Sequence, residues 1–590
     1  MSPRLVGLLV ILGFVSGVSV LGMDRSGGGD LARIFLNQIG FHPEGEKRAL
    51  AIGAEREPFR VVDESGRVVF EGMLGAASFW PYSGQHMRCA DFSAVTKSGR
   101  YRLKLKSGTT SHPFRIAEDI FRPVLTAAIK AYYFNRSGTA VSTALGGAWA
   151  RAAGHPDTRV VVHASAAEPH RPAGTVLASS GGWYDAGDYN KYTVNSAFAM
   201  AVLLLALERD PHFYADLEVA IPERDNELPD LLDEVLYNLD WLLTMQDPTD
   251  GGVYHKLSVT HFEGVVMPRD AVKTRYLFAK NTGAALTFAA VTALASRVLA
   301  SYPGEATRVR RCRAAARAAW RWARTHPDRP FVQPEGVITG PYIYDHEDFR
   351  DEWAWAAAEL FLAEGDRAYL DAVSWSETDG GVPSWDYVAP LAWLSLAFAE
   401  EVPSELAALA ASRLLASGER LRDQAHHSAA RVAMGAYACR FEEGAGEADF
   451  SWGSNGMAGA QGMVLMAALR LTGDPSFREA ALANLDYLLG RNSLDLCFVT
   501  GFGTRSPRQI HHRPSQADDV EAPVPGFLVG GPHAGRQDLV HCPVPYPSAL
   551  PALAYLDHEC SYATNEVTIN WNATFIFLAG ALEADHRMGL

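Results

Sequence analysis

The chain of 590 residues carries 53 Lys and Arg against 68 Asp and Glu, giving a formal net charge of -15 and a pI near 5.7. That balance excludes a nucleic acid or an anionic membrane as the main partner, because phosphate binding needs a basic footprint. With 48% hydrophobic and 21% charged residues the chain is globular, long enough for more than one domain, and better suited to a neutral ligand.

At the amino terminus Arg4 precedes an uncharged run from Leu5 to Met23, which ends at Asp24 and Arg25. This reads as an export signal over residues 1–24, placing the rest in the periplasm or outside the cell. No A-x-A cleavage pattern follows it, and a run of this length also suits a retained membrane anchor. The six cysteines form no C-x-x-C pair, so neither a redox motif nor a thiolate metal site is expected. Export permits disulfides, and Cys542 with Cys560 is the closest pair in sequence, although the spacing leaves many connectivities open.

From Arg33 to Ile116 the pattern is short and alternating, in Ile34-Phe35-Leu36, Ala49 to Ile52, Phe59 to Val62, Val68 to Phe70 and Tyr101 to Leu105. In the last run Tyr101, Leu103 and Leu105 share one face while Arg102, Lys104 and Lys106 share the other, the signature of a half-buried antiparallel strand. Asp63 to Arg67 joins two of the runs as a hairpin. A small β-sandwich of immunoglobulin type over residues 31–117 follows, in a supporting role because it carries no catalytic cluster.

Residues 118–590 change to a period near 3.6. The clearest helix starts near Asn226, a candidate cap, with Leu228, Leu231, Leu232, Val235, Leu239 and Leu242 on one face. Further helices are expected over Tyr192 to Leu207, Ala284 to Ala300, Arg311 to Arg324, Trp353 to Ala363, Leu391 to Ala399, Met457 to Leu471 and Trp571 to Leu582. Long connections at 138–181, 247–280, 327–350 and 492–547 separate them, and loops of that length in a compact domain are usually functional. A helical barrel with a cleft built from loops fits this pattern; a bundle or solenoid fits the helices equally.

Three clusters carry candidate chemistry. Gly182-Trp183-Tyr184-Asp185-Ala186-Gly187-Asp188-Tyr189 sets two carboxylates three positions apart with small neighbours, so a tight turn can aim both at one space and activate a water. An Asx turn or helix cap is the alternative reading. Phe498 to Arg505 runs into His511-His512-Arg513, a glycine-bearing loop ending in polar donors, or else a basic surface turn. Tyr555 to Ala573 holds Asp557, Tyr562 and Glu566 ahead of the last helix, or else forms a solvated acidic face.

Taken together, these segments resemble the glycoside hydrolases of family nine, in the subgroup with an amino-terminal immunoglobulin-like domain that includes bacterial endo-β-1,4-glucanases. Asp185 and Asp188 fall on that family's D-A-G-D segment, His511 takes the histidine position of its histidine signature, and Tyr555, Asp557, Tyr562, Glu566, Thr568 and Asn572-Ala573 match its acid signature. The resemblance implies a mainly α fold, an (α/α)6 barrel of twelve helices preceded by the β-sandwich. It further implies inverting hydrolysis of β-1,4-glucosidic bonds in cellulose-like glucans. By similarity Asp188 is the general base, Asp185 helps hold the water, Glu566 is the general acid, His511 and Arg513 bind sugar hydroxyls, and Asp557 orients the site. Inversion needs the two carboxyls far enough apart to admit a water. Glu566 must rest protonated in a setting that raises its pKa, while Asp188 should stay ionised among donors such as backbone N–H groups.

Trp183, Tyr184, Trp452 and Tyr562 are candidates to bind or stack on sugar rings, since each adjoins a polar cluster; any of them could equally be core. Some relatives bind a structural zinc after the first barrel helix. Here Tyr133 to Gly138 and Gly154 to Asp157 lack cysteines, and the zinc is not carried over. No cofactor for catalysis, no metal ligand and no obligatory protein partner is expected beyond the glycan, and a structural calcium, common in the family, cannot be located. Competing readings are an exo-acting cellodextrinase or glucosaminidase with a loop such as 157–179 blocking one end, a non-catalytic glycan-binding protein, and a polysaccharide lyase using Tyr and His.

Overall fold

A computed structural model of the chain describes residues 32–340, 348–436 and 449–588. The export or anchor reading of residues 1–24 lies outside these residues.

The amino-terminal part is a sandwich of two sheets. One has strand order β1 (Arg33–Phe35), β3 (Arg48–Ile52), β7 (Gln85–Asp91), β6 (Ser78–Trp80); the other has order β2 (Gly40–Phe41), β9 (Phe114–Ile116), β8 (Gly99–Leu105), β4 (Pro58–Asp63), β5 (Val68–Met73). On β8, Tyr101, Leu103 and Leu105 are buried while Arg102 and Lys104 face solvent, the alternation expected from the sequence. Asp63 and Arg67 close the β4–β5 hairpin through backbone hydrogen bonds around Gly66. The sandwich is not a detached module. Gln38 Oε1 accepts the backbone N–H groups of Thr504 and Arg505 at 2.8 and 2.9 Å, so the sandwich steadies the connection leading to His511.

Among the described residues eleven helices have eight or more residues. Six of them, α2 (Thr193–Arg209), α4 (Thr282–Leu299), α6 (Arg350–Glu364), α7 (Ala389–Leu396), α9 (Ser454–Thr472) and α11 (Ile569–Met588), form the inner ring and are buried nearly all round. Five more, α1 (Arg122–Phe134), α3 (Asp230–Leu242), α5 (Ala306–Thr325), α8 (Ser404–His427) and α10 (Pro475–Leu488), pack outside with one face buried and the other wet. The arrangement is an (α/α)6 barrel. In place of a sixth long outer helix, the connection between α6 and α7 makes two short 3-10 turns, Leu370–Ala372 and Trp375–Glu377.

Two features depart from expectation. Asn226 does not cap α3: the helix begins at Asp230 after Pro229, and Asn226 instead accepts the Leu228 N–H and donates to Asp233. Proline at the entry sets the turn, and the asparagine closes a bend one step earlier. The connections at 138–181 and 247–280, together with the segment before α2, also contribute a five-stranded sheet, Val176–Leu177, Val160–Val162, Tyr276–Leu277, Lys256–Ser258 and Lys191–Tyr192 in that order. Its last strand leaves the D-A-G-D segment and enters α2, so the sheet fixes one wall of the site.

Candidate active site

The D-A-G-D turn is held from three directions. The Asp185 N–H donates to the Asn190 carbonyl at 3.0 Å, closing the turn, and the Asp185 carbonyl accepts the Ile569 N–H at 3.0 Å, at the first residue of α11. A residue within the acid signature is therefore bonded to the segment that carries the two aspartates. From α2, Asn195 donates its amide to Asp185 Oδ1 at 2.8 Å, fixing that carboxylate inside the wall. Behind the turn, buried Asp157 pairs with Lys191 at 2.7 Å and Arg275 at 2.8 Å, and Arg275 donates to the Tyr189 carbonyl at 2.7 Å.

Asp188 is 6% exposed. Its Oδ2 accepts the Asn190 amide, whereas Oδ1 has no hydrogen-bond partner among the described residues. Burial pushes its pKa up, opposed by Arg513, Asn190 and Arg275. The expected donors reduce to Asn190, and the guanidinium of Arg513 heads the influences that oppose burial.

Glu566 sits in extended backbone between the turn Tyr562–Asn565 and α11. It is bridged to His511 on one side, and its carbonyl accepts the Gly530 N–H at 2.9 Å on the other. Its Oε1 accepts the Gly187 N–H at 3.3 Å, so the acid meets the D-A-G-D turn directly. Its pKa is raised well above the ordinary glutamate value, first by burial and then by the charge of Asp188, with Arg513 opposing.

Gly187 is where the two halves touch. A Cβ there would overlap the His511 carbonyl oxygen. Replacing Gly187 with Ala is expected to force this backbone pair apart and to lower kcat by about tenfold or more, since misplacement of about 1 Å is costly in a positioned site. A steady-state assay beside a thermal melt checks this; wild-type turnover in Gly187→Ala would refute the close-approach argument.

His511 precedes and Arg513 opens the short helical turn Arg513–Ala517, with His512 between them turned inward against Asn135, Ser515 and Phe527. His511 Nδ1 lies 2.6 Å from the Glu559 carbonyl, which can only accept, so Nδ1 carries the proton and Nε2 faces outward as an acceptor. Burial lowers the His511 pKa, opposed by the hydrogen bond to the Glu559 carbonyl. Arg513 donates to the Gly187 carbonyl at 3.1 Å and the Glu263 carbonyl at 3.1 Å. Asp557 does not reach Glu566 itself. It accepts the backbone N–H groups of Arg508 and Gln509 and the Asn565 amide, all at 3.0 to 3.1 Å, and so acts through the neighbours of His511 and Glu566.

The aromatic candidates divide. Trp452 is 45% exposed and stands 5.4 Å from the Tyr562 ring, which lies 6.3 Å from His511. Trp183 and Tyr184 are corrected to core residues. Trp183 packs on Tyr132 at 4.4 Å and donates its indole N–H to Glu234, while the Tyr184 hydroxyl lies 2.9 Å from His155 Nδ1, which leaves neither ring a free face for a sugar. Sequence reasoning did not single out Asn190, Asn195 or Gly530. Asn190 was visible beside the motif, but Asn195 and Gly530 reach the site through packing that carries no local signal.

Cys542 and Cys560 are joined by a disulfide. His558 lies beside that pair, and a second group that could hold a metal brings together Glu168, His170 and Asp250. The buried ammonium of Lys280 already lies between Glu168, Asp247 and Asp250 at 2.5 to 2.9 Å, neutralising much of that charge. Neither group includes Asp188 or Glu566.

Known proteins resemble this chain over most of its length. Residues 121–579 match the family model described as Glycosyl hydrolase family 9, and residues 31–110 match the Cellulase N-terminal ig-like domain. A xyloglucan-specific endo-beta-1,4-glucanase from Bacteroides ovatus is 40% identical, over 98% of this chain and 99% of its own. Endoglucanase D of Acetivibrio thermocellus is 32% identical over 93% of this chain and 83% of its own. Among solved structures, a Bacteroides ovatus GH9 protein superposes with a TM-score of 0.86 at 38% identity, covering 94% of this chain and 99% of that one.

Proposed function

The chain belongs to glycosyl hydrolase family 9 and is a glycoside hydrolase, and from that premise we propose that it cleaves β-1,4-glucans internally with inversion, Asp188 serving as base and Glu566 as acid. The observation that carries this reading is the hydrogen bond from Gly187 to Glu566, which sets the acid against the turn bearing both aspartates. Asp188 Oδ1 is the oxygen free to take a proton from the attacking water, and Asp185, fixed by Asn195, helps hold that water. Glu566 gives its proton to the glycosidic oxygen as the bond breaks. The sugar leaves with inverted configuration because water enters on the face opposite the leaving group. His511 Nε2 accepts, and the guanidinium of Arg513 donates, to sugar hydroxyls beside the scissile bond.

A soluble β-1,4-glucan chain is the substrate class, and the name of the 40% identical relative favours a xylose-decorated backbone. The test follows the anomer first released by proton NMR while tracking viscosity against reducing ends. The α-anomer together with an early fall in viscosity is expected on xyloglucan and on undecorated β-1,4-glucan. The β-anomer would overturn inversion, and a single short sugar accumulating without viscosity loss would overturn internal cleavage.

A further inference from the structure

The row of side chains beside Glu566 continues past the residues assigned above. From Trp452 the row passes to Tyr562, then His511, then Arg513 two residues on, and from Arg513 to Phe262, whose ring centroid lies 5.4 Å from the guanidinium carbon. Phe262 is 36% exposed.

This exposure does not come from a slack loop. The Thr260 carbonyl accepts the Ile338 N–H at 2.9 Å, and the Glu263 carbonyl is held by Arg513 at 3.1 Å. Lys273 donates its ammonium to the Phe262 carbonyl at 2.6 Å, and its N–H to the Glu263 carboxylate at 3.0 Å. Tyr189, next to Asp188, donates its hydroxyl to the Val266 carbonyl at 2.6 Å. The main chain around Phe262 is thus held on both sides, by Ile338 before it and by Arg513 and Tyr189 after it, while the ring stays partly open to solvent. A phenyl ring kept out of the core by a fixed backbone forgoes the stabilisation of burial, which is repaid when an apolar surface covers it.

We propose that Phe262 is a sugar-binding platform at the Arg513 end of the cleft, taking the C–H face of a β-linked pyranose in the same chain whose other end runs over Tyr562 and Trp452. The proposal rests on the β-1,4-glucanase reading of the site. Arg513 occupies one side of the ring and can bond the hydroxyl rim of the sugar that the other side carries. With platforms at both ends of the acid–base pair, a chain is gripped on each side of the bond that breaks, as internal cleavage requires.

The test compares Phe262→Ala and Phe262→Trp with wild type, using soluble xyloglucan, undecorated β-1,4-glucan and a series of cello-oligosaccharides. Losing one well-placed aromatic contact is expected to raise KM for the polymers about tenfold while leaving kcat within about twofold. Phe262→Trp restores KM, and thermal melts stay at the wild-type value because the side chain is not part of the core. An unchanged KM for every substrate would overturn the proposal. A fall in kcat alone would also overturn it, by making Phe262 a prop for Arg513. Should wild type fail to hydrolyse any β-1,4-glucan, the functional reading itself would fall; an active enzyme indifferent to Phe262→Ala would remove only this platform.

Discussion

Asp188→Asn is expected to fold as wild type, to bind β-1,4-glucan with KM changed by no more than about threefold, and to lose roughly 10³–10⁴ in kcat. The substitution keeps the shape of the side chain and can still meet the Asn190 amide through its own carbonyl oxygen. What disappears is the group proposed to accept the proton of the attacking water. The variant also reports on its partner. The charge of Asp188 is one of the causes raising Glu566, so removing it lets Glu566 ionise at lower pH. The basic limb of the residual pH–rate profile should therefore move downward. An unshifted limb with full loss of rate would mean that the two carboxyls do not sense each other. Retained rate would mean that another group takes the proton.

The parts of the site legible in the sequence were those written as residue types at fixed spacing. Asp185, Asp188, His511, Arg513, Asp557 and Glu566 all face or support one space, and their order along the chain matched the resemblance. Which aromatic is core was not legible. Trp183 and Trp452 both adjoin polar clusters, and only the packing of Trp183 against Tyr132 and Glu234 separates them. Which helices form the inner ring was not legible for a related reason. In α4 every position from Thr282 to Ser296 is buried, so no polar face marks its register, whereas α5 keeps a wet face studded with arginines. The five-stranded sheet was missed because its strands are two or three residues long, too short for an alternation to register. Asn195 escaped because it lies ten residues from Asp185 and meets it only once α2 is docked.

Glu566→Gln is expected to reduce kcat roughly 10²–10⁴-fold on natural glucans, whose leaving oxygen needs a proton, and far less on aryl glycosides with acidic leaving groups. On the proposed roles the wild-type rate should fall as pH drops through the Asp188 pKa, because the base is then protonated, and again as pH rises through the Glu566 pKa, because the acid is then spent. Both pKa values are raised, so the active window lies higher than free carboxyls would give. On activated aryl substrates the variant should keep the acid limb and lose the basic one. Stability should move the other way. A carboxyl whose folded pKa exceeds its unfolded value favours folding only while it is protonated; that contribution is full below the unfolded pKa and is lost as pH rises through the folded one. Glutamine never ionises, so Glu566→Gln should melt at higher temperature than wild type above the Glu566 pKa and converge with it at low pH, where both side chains are neutral. A variant less stable at every pH would mean that the Gly187 contact, not the proton on Glu566, is what the fold requires of that position. A variant more stable only at high pH would mean that the acid is held protonated at the expense of the fold, as a site built to deliver a proton demands.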